Sequence, residues 1–179
     1  MQSTEITALI EQKINSFVVT ALTADIRLYK IDFFHSKGNL KIHVLLDKLS
    51  DPYGSVNISD CSTFAKKLRE SLEKYELETK IDLNYSLEVA SAGAERVLTS
   101  LQEISRFKSL PMNATFSDPN GAKHNGIYAI EKIEGENLTL MLANCRENRK
   151  SGAYKNSKKH PHYTVAFSAI QKIRLHIDY

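Results

Sequence analysis

The 179 residues are 42% hydrophobic and 25% charged, the balance of a chain that folds around a core and not of a disordered one. Lys plus Arg number 24 against 21 Asp plus Glu, and the only two cysteines, Cys61 and Cys145, form no C-x-x-C pair, which excludes a disulfide-stapled mini-domain. No apolar run approaches the roughly 18 residues that cross a bilayer, and the opening MQSTEITALIEQK has Glu5 and Glu11 where a signal peptide needs a positive leader and an apolar core, so the expectation is a cytoplasmic protein with reduced thiols and no membrane partner.

Residues 4–19 read as a helix, because Ile6, Leu9, Ile10, Ile14, Phe17 and Val18 recur at spacings of three and four; Ser3 or Thr4 is placed to cap it. Residues 25–34 and 40–46 are rich in β-branched and aromatic side chains. In the second run Leu40, Ile42, Val44 and Leu46 alternate, so the two predict a hairpin about His-Ser-Lys-Gly-Asn. Asp51-Pro52 and Gly54 mark a loop. Ser59 then reads as an N-cap with Asp60 in the first turn, and Cys61, Phe64, Ala65, Leu68, Leu72 and Tyr75 carry a second helix to about residue 77. A short strand over 85–90, with Leu87 and Val89 on one side, completes an α-β-β-α-β unit whose single sheet lies under two helices.

The pattern changes after residue 90. A short helix over 98–107 precedes five brief β-like runs at 112–116, 126–133, 138–142, 163–167 and 173–177, separated by turn signals such as Asp118-Pro119-Asn120-Gly121. Five short strands over some 70 residues are expected to close as a small barrel, which buries the inner face and leaves no long edges. The organisation expected is an α/β domain over 1–97 and a β-barrel domain over 98–179.

Charge separates the halves. Residues 1–98 have net charge −2 and residues 99–179 net +5; the polar stretch 144–162 alone also carries +5, from Arg146, Arg149, Lys150, Lys155, Lys158 and Lys159 against Glu147. Such a field attracts a polyanion and is screened by salt. The functional reading of the loop 145–162 is an arm lying on RNA phosphates, with Tyr154 or His162 stacking on a base; the plain alternative is a solvated loop.

Other constellations are weaker. His160, His162 and Cys145 lack a fourth ligand for structural zinc. Asp47, Asp51 and Asp60 do not follow a calcium-loop register, and Cys61 has no histidine base nearby in sequence. Phosphate-loop, dinucleotide, nucleophile-elbow and H-E-x-x-H motifs do not occur. Neither catalytic residue, cofactor nor metal is expected.

Several strings, in order, resemble the RimP family of bacterial ribosome maturation factors. VLLDK (44–48) followed by GSVNISDCSTFAKKL (54–68) resembles that family's strand, loop and "DC" helix opening, and YSLEVASAGAERVL (85–98) resembles its LEVSSPG string with the Arg-Pro-Leu that follows. Glu88, Ser91, Gly93, Arg96 and Leu98 match, while Ala90, Ala92 and Val97 replace Ser, Pro and Pro. SRFKSL (105–110), NGIYAIEKIEGENLTLML (125–142) and AFSAIQKIRLHIDY (166–179) fit the C-terminal domain, with Ser109 where glycine is usual and a basic loop longer than the family's.

The resemblance implies an α+β fold, an α-β-β-α-β two-layer domain followed by an SH3-like or Sm-like β-barrel. It also implies a non-enzymatic factor that binds the free small (30S) ribosomal subunit as a monomer, touching its rRNA and a small-subunit ribosomal protein. Glu88, Ser91, Gly93 and Arg96 then read either as an interdomain patch that meets a partner or as architecture, with Gly93 in a dihedral closed to other residues and Arg96 pairing with Glu88 or capping a carbonyl. Loss of the family's prolines at Ala92 and Val97 is expected to leave that turn less pre-organised. The competing reading is an SH3-like protein-interaction adaptor with Tyr128, Tyr154 and Tyr163 lining a peptide groove.

Overall fold

A computed structural model describes residues 2–36, 38–93, 96–150 and 161–177. The chain divides into two compact units, Met1–Gly93 and Ala94–Tyr179.

The first unit opens with α1 (Gln2–Ala21), which already contains Ser3 and Thr4, so neither is the cap expected from sequence. Ile14 and Val18 are fully buried, with Ile10 and Phe17 packed beside them, but Ile6 and Leu9 are 54% and 65% exposed. A 20-residue helix is about 30 Å long, and its first turns run beyond the core that the strands provide. The antiparallel pair β1 (Ile26–Ser36) and β2 (Asn39–Lys48) follows, and β3 (Tyr85–Ser91) adds to the other edge of β2 in parallel, giving the order β1-β2-β3. A parallel neighbour requires a long crossover, supplied by α2 (Ile58–Thr79).

On the central strand β2, Leu40, Ile42, Val44 and Leu46 are buried, as their alternation predicts, and they meet Phe64, Leu68 and Leu72 of α2 in one core. Phe17 and Tyr75 make an edge-to-face contact at 5.8 Å that joins the two helices. The N-cap of α2 is Asn57, two residues before the expected Ser59. Its extended backbone (φ −82°, ψ 169°) lets its side-chain oxygen accept from the Asp60 amide at 2.8 Å, while Asp60 pairs with Lys48 at 2.7 Å.

In the second unit Ser100 caps the short helix α3 (Leu101–Arg106) and the Glu103 carboxylate reaches back to the Thr99 amide at 2.7 Å, a reciprocal cap. The strands are β4 (Met112–Ser117), β5 (Lys123–Glu134), β6 (Asn137–Leu142), β7 (His162–Ala166) and β8 (Ile170–Leu175). Between β6 and β7 lies the five-residue helix α4 (Arg146–Lys150).

All neighbours are antiparallel, in the order β7-β6-β5-β4-β8. The sheet is open, which overturns the expected SH3-like or Sm-like barrel: among the described residues no ladder joins β7 to β8. The outer edge of β8 is already occupied. Residues 96–98 lie along it, the Leu98 amide donating to Ile173 O at 2.8 Å and the Leu175 amide to Arg96 O at 3.1 Å, with Val97 opposite Arg174. The inner face is covered by Leu98, Ile104 and Phe107, which pack on Met112, Ala114, Phe116, Leu138 and Leu140.

The corrected cap gives a stability test. Asn57→Ala removes the bond to the Asp60 amide and is expected to cost about 1 kcal/mol, whereas Ser59→Ala stays within about 0.5 kcal/mol; urea unfolding followed by far-ultraviolet circular dichroism distinguishes them.

Candidate nucleic-acid interface

Burial alternates along β4, with Met112, Ala114 and Phe116 inside and Asn113, Thr115 and Ser117 on the other face. Register carries that face to the neighbours. Asn113 pairs with Ile127 and Arg174, Thr115 with Asn125 and Lys172, and Ser117 with Lys123. The outer face of β8-β4-β5 therefore displays Lys123, Lys172 and Arg174 among Asn113, Thr115, Asn125 and Ser117, with no carboxylate at these described positions. The signal for these three cations lay in the period-2 alternation of the strands, but it required the pairing register to show that they share a face.

The start of the basic loop docks on the same face. After β6 the Ala143 amide donates to Ile127 O at 3.0 Å, and Ala143, Cys145 and Ile127 form a small buried cluster with Ala129 beside it. Asn148, buried in α4, donates from its amide nitrogen to both Ile127 O and Ala143 O at 2.8 Å. Those bonds fix which face of α4 is outward. Arg146, Arg149 and Lys150 are exposed, and Arg149 Nη1 donates to the backbone and side-chain oxygens of Asn144 at 3.2 and 2.9 Å. His176, two residues beyond Arg174, lies 3.2 Å from the Glu147 carboxylate, so α4 and the end of β8 meet over this sheet face. Tyr154, Lys155, Lys158 and Lys159, together with His160, lie outside the described residues. His162 Nδ1 is 2.6 Å from a Glu131 carboxylate oxygen.

Of the three tyrosines expected to line a peptide groove, Tyr128 is buried, Tyr163 is partly buried and Tyr154 lies outside the described residues. Tyr128 is buried and packs edge-on to Phe116 and Tyr163 at 5.2 and 6.0 Å, while His124 stacks on Phe116 at 5.2 Å. Phe116 and Tyr128 belong to the core, with Tyr163 partly buried against it. Burial holds the Tyr128 phenol above its ordinary range. His124 also bonds Asp118 at 3.0 Å, and this bond, helped by the Ala122 and Asn120 amides, holds the Asp118 carboxyl below the usual carboxylate range.

In the first unit, Glu88 bonds Lys41 at 2.7 Å and lies 3.9 Å from His43, and the Lys41 partner lowers its carboxyl pKa. Ser91 Oγ accepts from the Val56 and Gly93 amides at 3.1 and 3.3 Å, and Gly93 has φ +80°, a left-handed conformation that side chains disfavour. Arg96, in the second unit, is buried with its guanidinium 4.9 Å from the Phe107 ring centre. Burial pushes the Cys61 thiol up, against use as a nucleophile. Asp51 accepts from the Tyr53 and Ser55 amides, a turn role. No helix among the described residues is long and apolar enough to cross a membrane.

Residues 18–95 match the RimP N-terminal domain, and residues 97–176 match a domain of unknown function, DUF7912. The chain is 32% identical over 130 residues to the ribosome maturation factor RimP of Leptospira interrogans serogroup Icterohaemorrhagiae serovar copenhageni, covering 72% of this chain and 78% of that protein. It is 27% identical over 168 residues to the ribosome maturation factor RimP of Leptospira biflexa serovar Patoc, covering 94% and 97%.

Two outcomes follow from the second unit. Asn148→Ala removes two buried hydrogen bonds, with Ile127 O keeping the Ala143 amide as a donor, and is expected to destabilise by about 2 kcal/mol, read by urea unfolding. Because the Asp118 carboxyl is held low in the folded state, its contribution is present above the ordinary carboxylate range near pH 4 and is lost as pH falls through the lower folded value. Asp118→Asn therefore flattens the acid limb of a stability-against-pH profile.

Proposed function

The chain belongs to the RimP family of ribosome maturation factors, and from that premise we propose that it serves ribosome biogenesis by binding the free small (30S) ribosomal subunit non-covalently in the cytoplasm. It acts as a monomer, through rRNA and a small-subunit ribosomal protein, and uses no bond-making step. One observation carries the RNA part of this reading: the root of the basic loop, with Arg146, Arg149 and Lys150, is docked on the sheet face that displays Lys123, Lys172 and Arg174.

Two sources of cations on one face follow a phosphate backbone better than a single loop does. The loop's remaining cations, Lys155, Lys158 and Lys159, extend the same contact along the chain, and Tyr154 supplies a ring for an unstacked base. Each phosphate neutralised releases condensed counterions, so affinity falls with salt and depends little on base identity. Held in this way, a late-folding rRNA segment stays in a productive arrangement until neighbouring contacts form. Binding energy is sufficient for that work. In the first unit the turn of Glu88, Ser91 and Gly93, with Arg96 following, serves to shape the chain's exit from β3 on its way into the second unit.

Sedimentation of cell extract is expected to place the protein with free small subunits and their precursors; co-sedimentation with translating ribosomes instead overturns the reading. With purified small-subunit particles, neutralising Lys123, Lys172 and Arg174, or the six loop cations, is expected to weaken binding at low salt. The log–log salt slope should become shallower by roughly 0.7 to 0.9 for every phosphate that is no longer neutralised. Binding unaffected by salt, or by both sets of substitutions, favours a protein-interaction adaptor over an RNA-binding factor.

A further inference from the structure

Cys145, Glu147 and His176 come from two distant stretches of sequence, yet the thiol sulfur, a carboxylate oxygen and a ring nitrogen all lie within 4.8 Å of one another. From this geometry we propose that they form a binding site for a zinc-class divalent ion, which ties the root of the basic loop to the end of β8.

The ligand set points to the metal. Thiolate, imidazole and carboxylate together favour zinc or its neighbours over magnesium and calcium, which take oxygen ligands. Three protein ligands with a fourth position left to water is an established zinc arrangement. With bonds of about 2.0 to 2.3 Å, ligand atoms around a tetrahedral ion stand roughly 3.5 Å apart, so the present spacing closes on the ion by about an ångström. Glu147 can make that movement, because half of its side chain is exposed, whereas the His176 side chain is only 13% exposed.

The backbone beneath the three residues is already held. The Arg149 amide donates to Cys145 O at 3.0 Å and Asn148 fastens α4 to β5, while the His176 amide donates to Pro111 O at 2.9 Å. An ion therefore meets ligands whose main chains need no ordering. Binding exchanges the 3.2 Å contact between His176 and Glu147 for two bonds to the metal, and the Cys145 thiol releases its proton to solvent as sulfur bonds the ion. Sequence spacing gave no hint of this set, since Cys145 and His176 lie 31 positions apart and the histidines nearest in sequence are His160 and His162.

Cobalt(II) is the probe, because a thiolate bound to it gives an intense ligand-to-metal charge-transfer band. The full-length reduced protein is expected to bind one cobalt(II) per chain with that band, and zinc(II) should displace it. Cys145→Ser abolishes the band, and Cys61→Ser, which removes the only other thiol, keeps it. His176→Gln and Glu147→Gln, which leave the thiol in place, each weaken zinc(II) binding by more than about tenfold and lose the zinc-induced rise in Tm. Circular dichroism of the metal-free variants must match that of the parent. The site is refuted if the parent shows no charge-transfer band, if the band survives Cys145→Ser, or if His176→Gln and Glu147→Gln bind zinc(II) as the parent does.

Discussion

Amides and carbonyls along a strand edge must be bonded to something, and the second unit depends on how β8 meets that demand. On one side β8 pairs with β4; on the other it receives residues 96–98, through the Leu98 amide to Ile173 O and the Leu175 amide to Arg96 O. Once those groups are used, β7 has no ladder to join, and the sheet stays open. The same short segment brings Leu98 over the inner face and leads into α3, whose Ile104, with Phe107 just after it, completes the cover. An edge contact of two backbone bonds thus chooses between a closed barrel and a sheet with a lid.

The outer side of the sheet carries a second feature. A face that need not pack against another layer is available for polar and charged side chains, and β4, β5 and β8 present lysine, arginine, asparagine, threonine and serine there. One end of this face is nevertheless covered. Ile127 and Ala129 turn a small apolar patch outward, and α4 folds over it through Cys145 and the buried Asn148. That apolar patch is why a loop so rich in charge has a defined starting point, and the starting point lies beside the sheet's own cations.

Much of this was legible in the residues, and the exceptions share a cause. Leu40, Ile42, Val44 and Leu46 announce β2 because the period of two repeats without interruption, and Phe64, Leu68 and Leu72 announce α2 by their helical spacing of four. Ile6 and Leu9 continue the stripe of α1 but remain exposed, since periodicity reports a face and not how far the opposing sheet extends. Asn57 and Ser59 are both good caps, and only the backbone conformation at Asn57 decides between them. Strand positions in the second unit were apparent, while closure was not, because it turns on which segment reaches the edge of β8 first. For the candidate interface, charge density made Arg146, Arg149 and Lys150 visible, but Lys123, Lys172 and Arg174 become one group only through register.

Charge alone would make a poor instrument of selection, since a net excess of cations attracts any polyanion and does so less as salt rises. What the second unit adds is placement. Lys172 and Arg174 alternate along one strand, their backbone positions about 7 Å apart at the rise of a β-strand, and Lys123 stands across β4 from them, so the spacing of the points from which these side chains extend is set by backbone hydrogen bonds. The Asn148 bonds impose a comparable constraint on Arg146 and Arg149. A backbone fixed in this way pays its ordering entropy during folding, before any ligand arrives. Under the proposed function, discrimination comes from the path of the phosphates and not from their number, which suits the holding of one arrangement of a chain that has many.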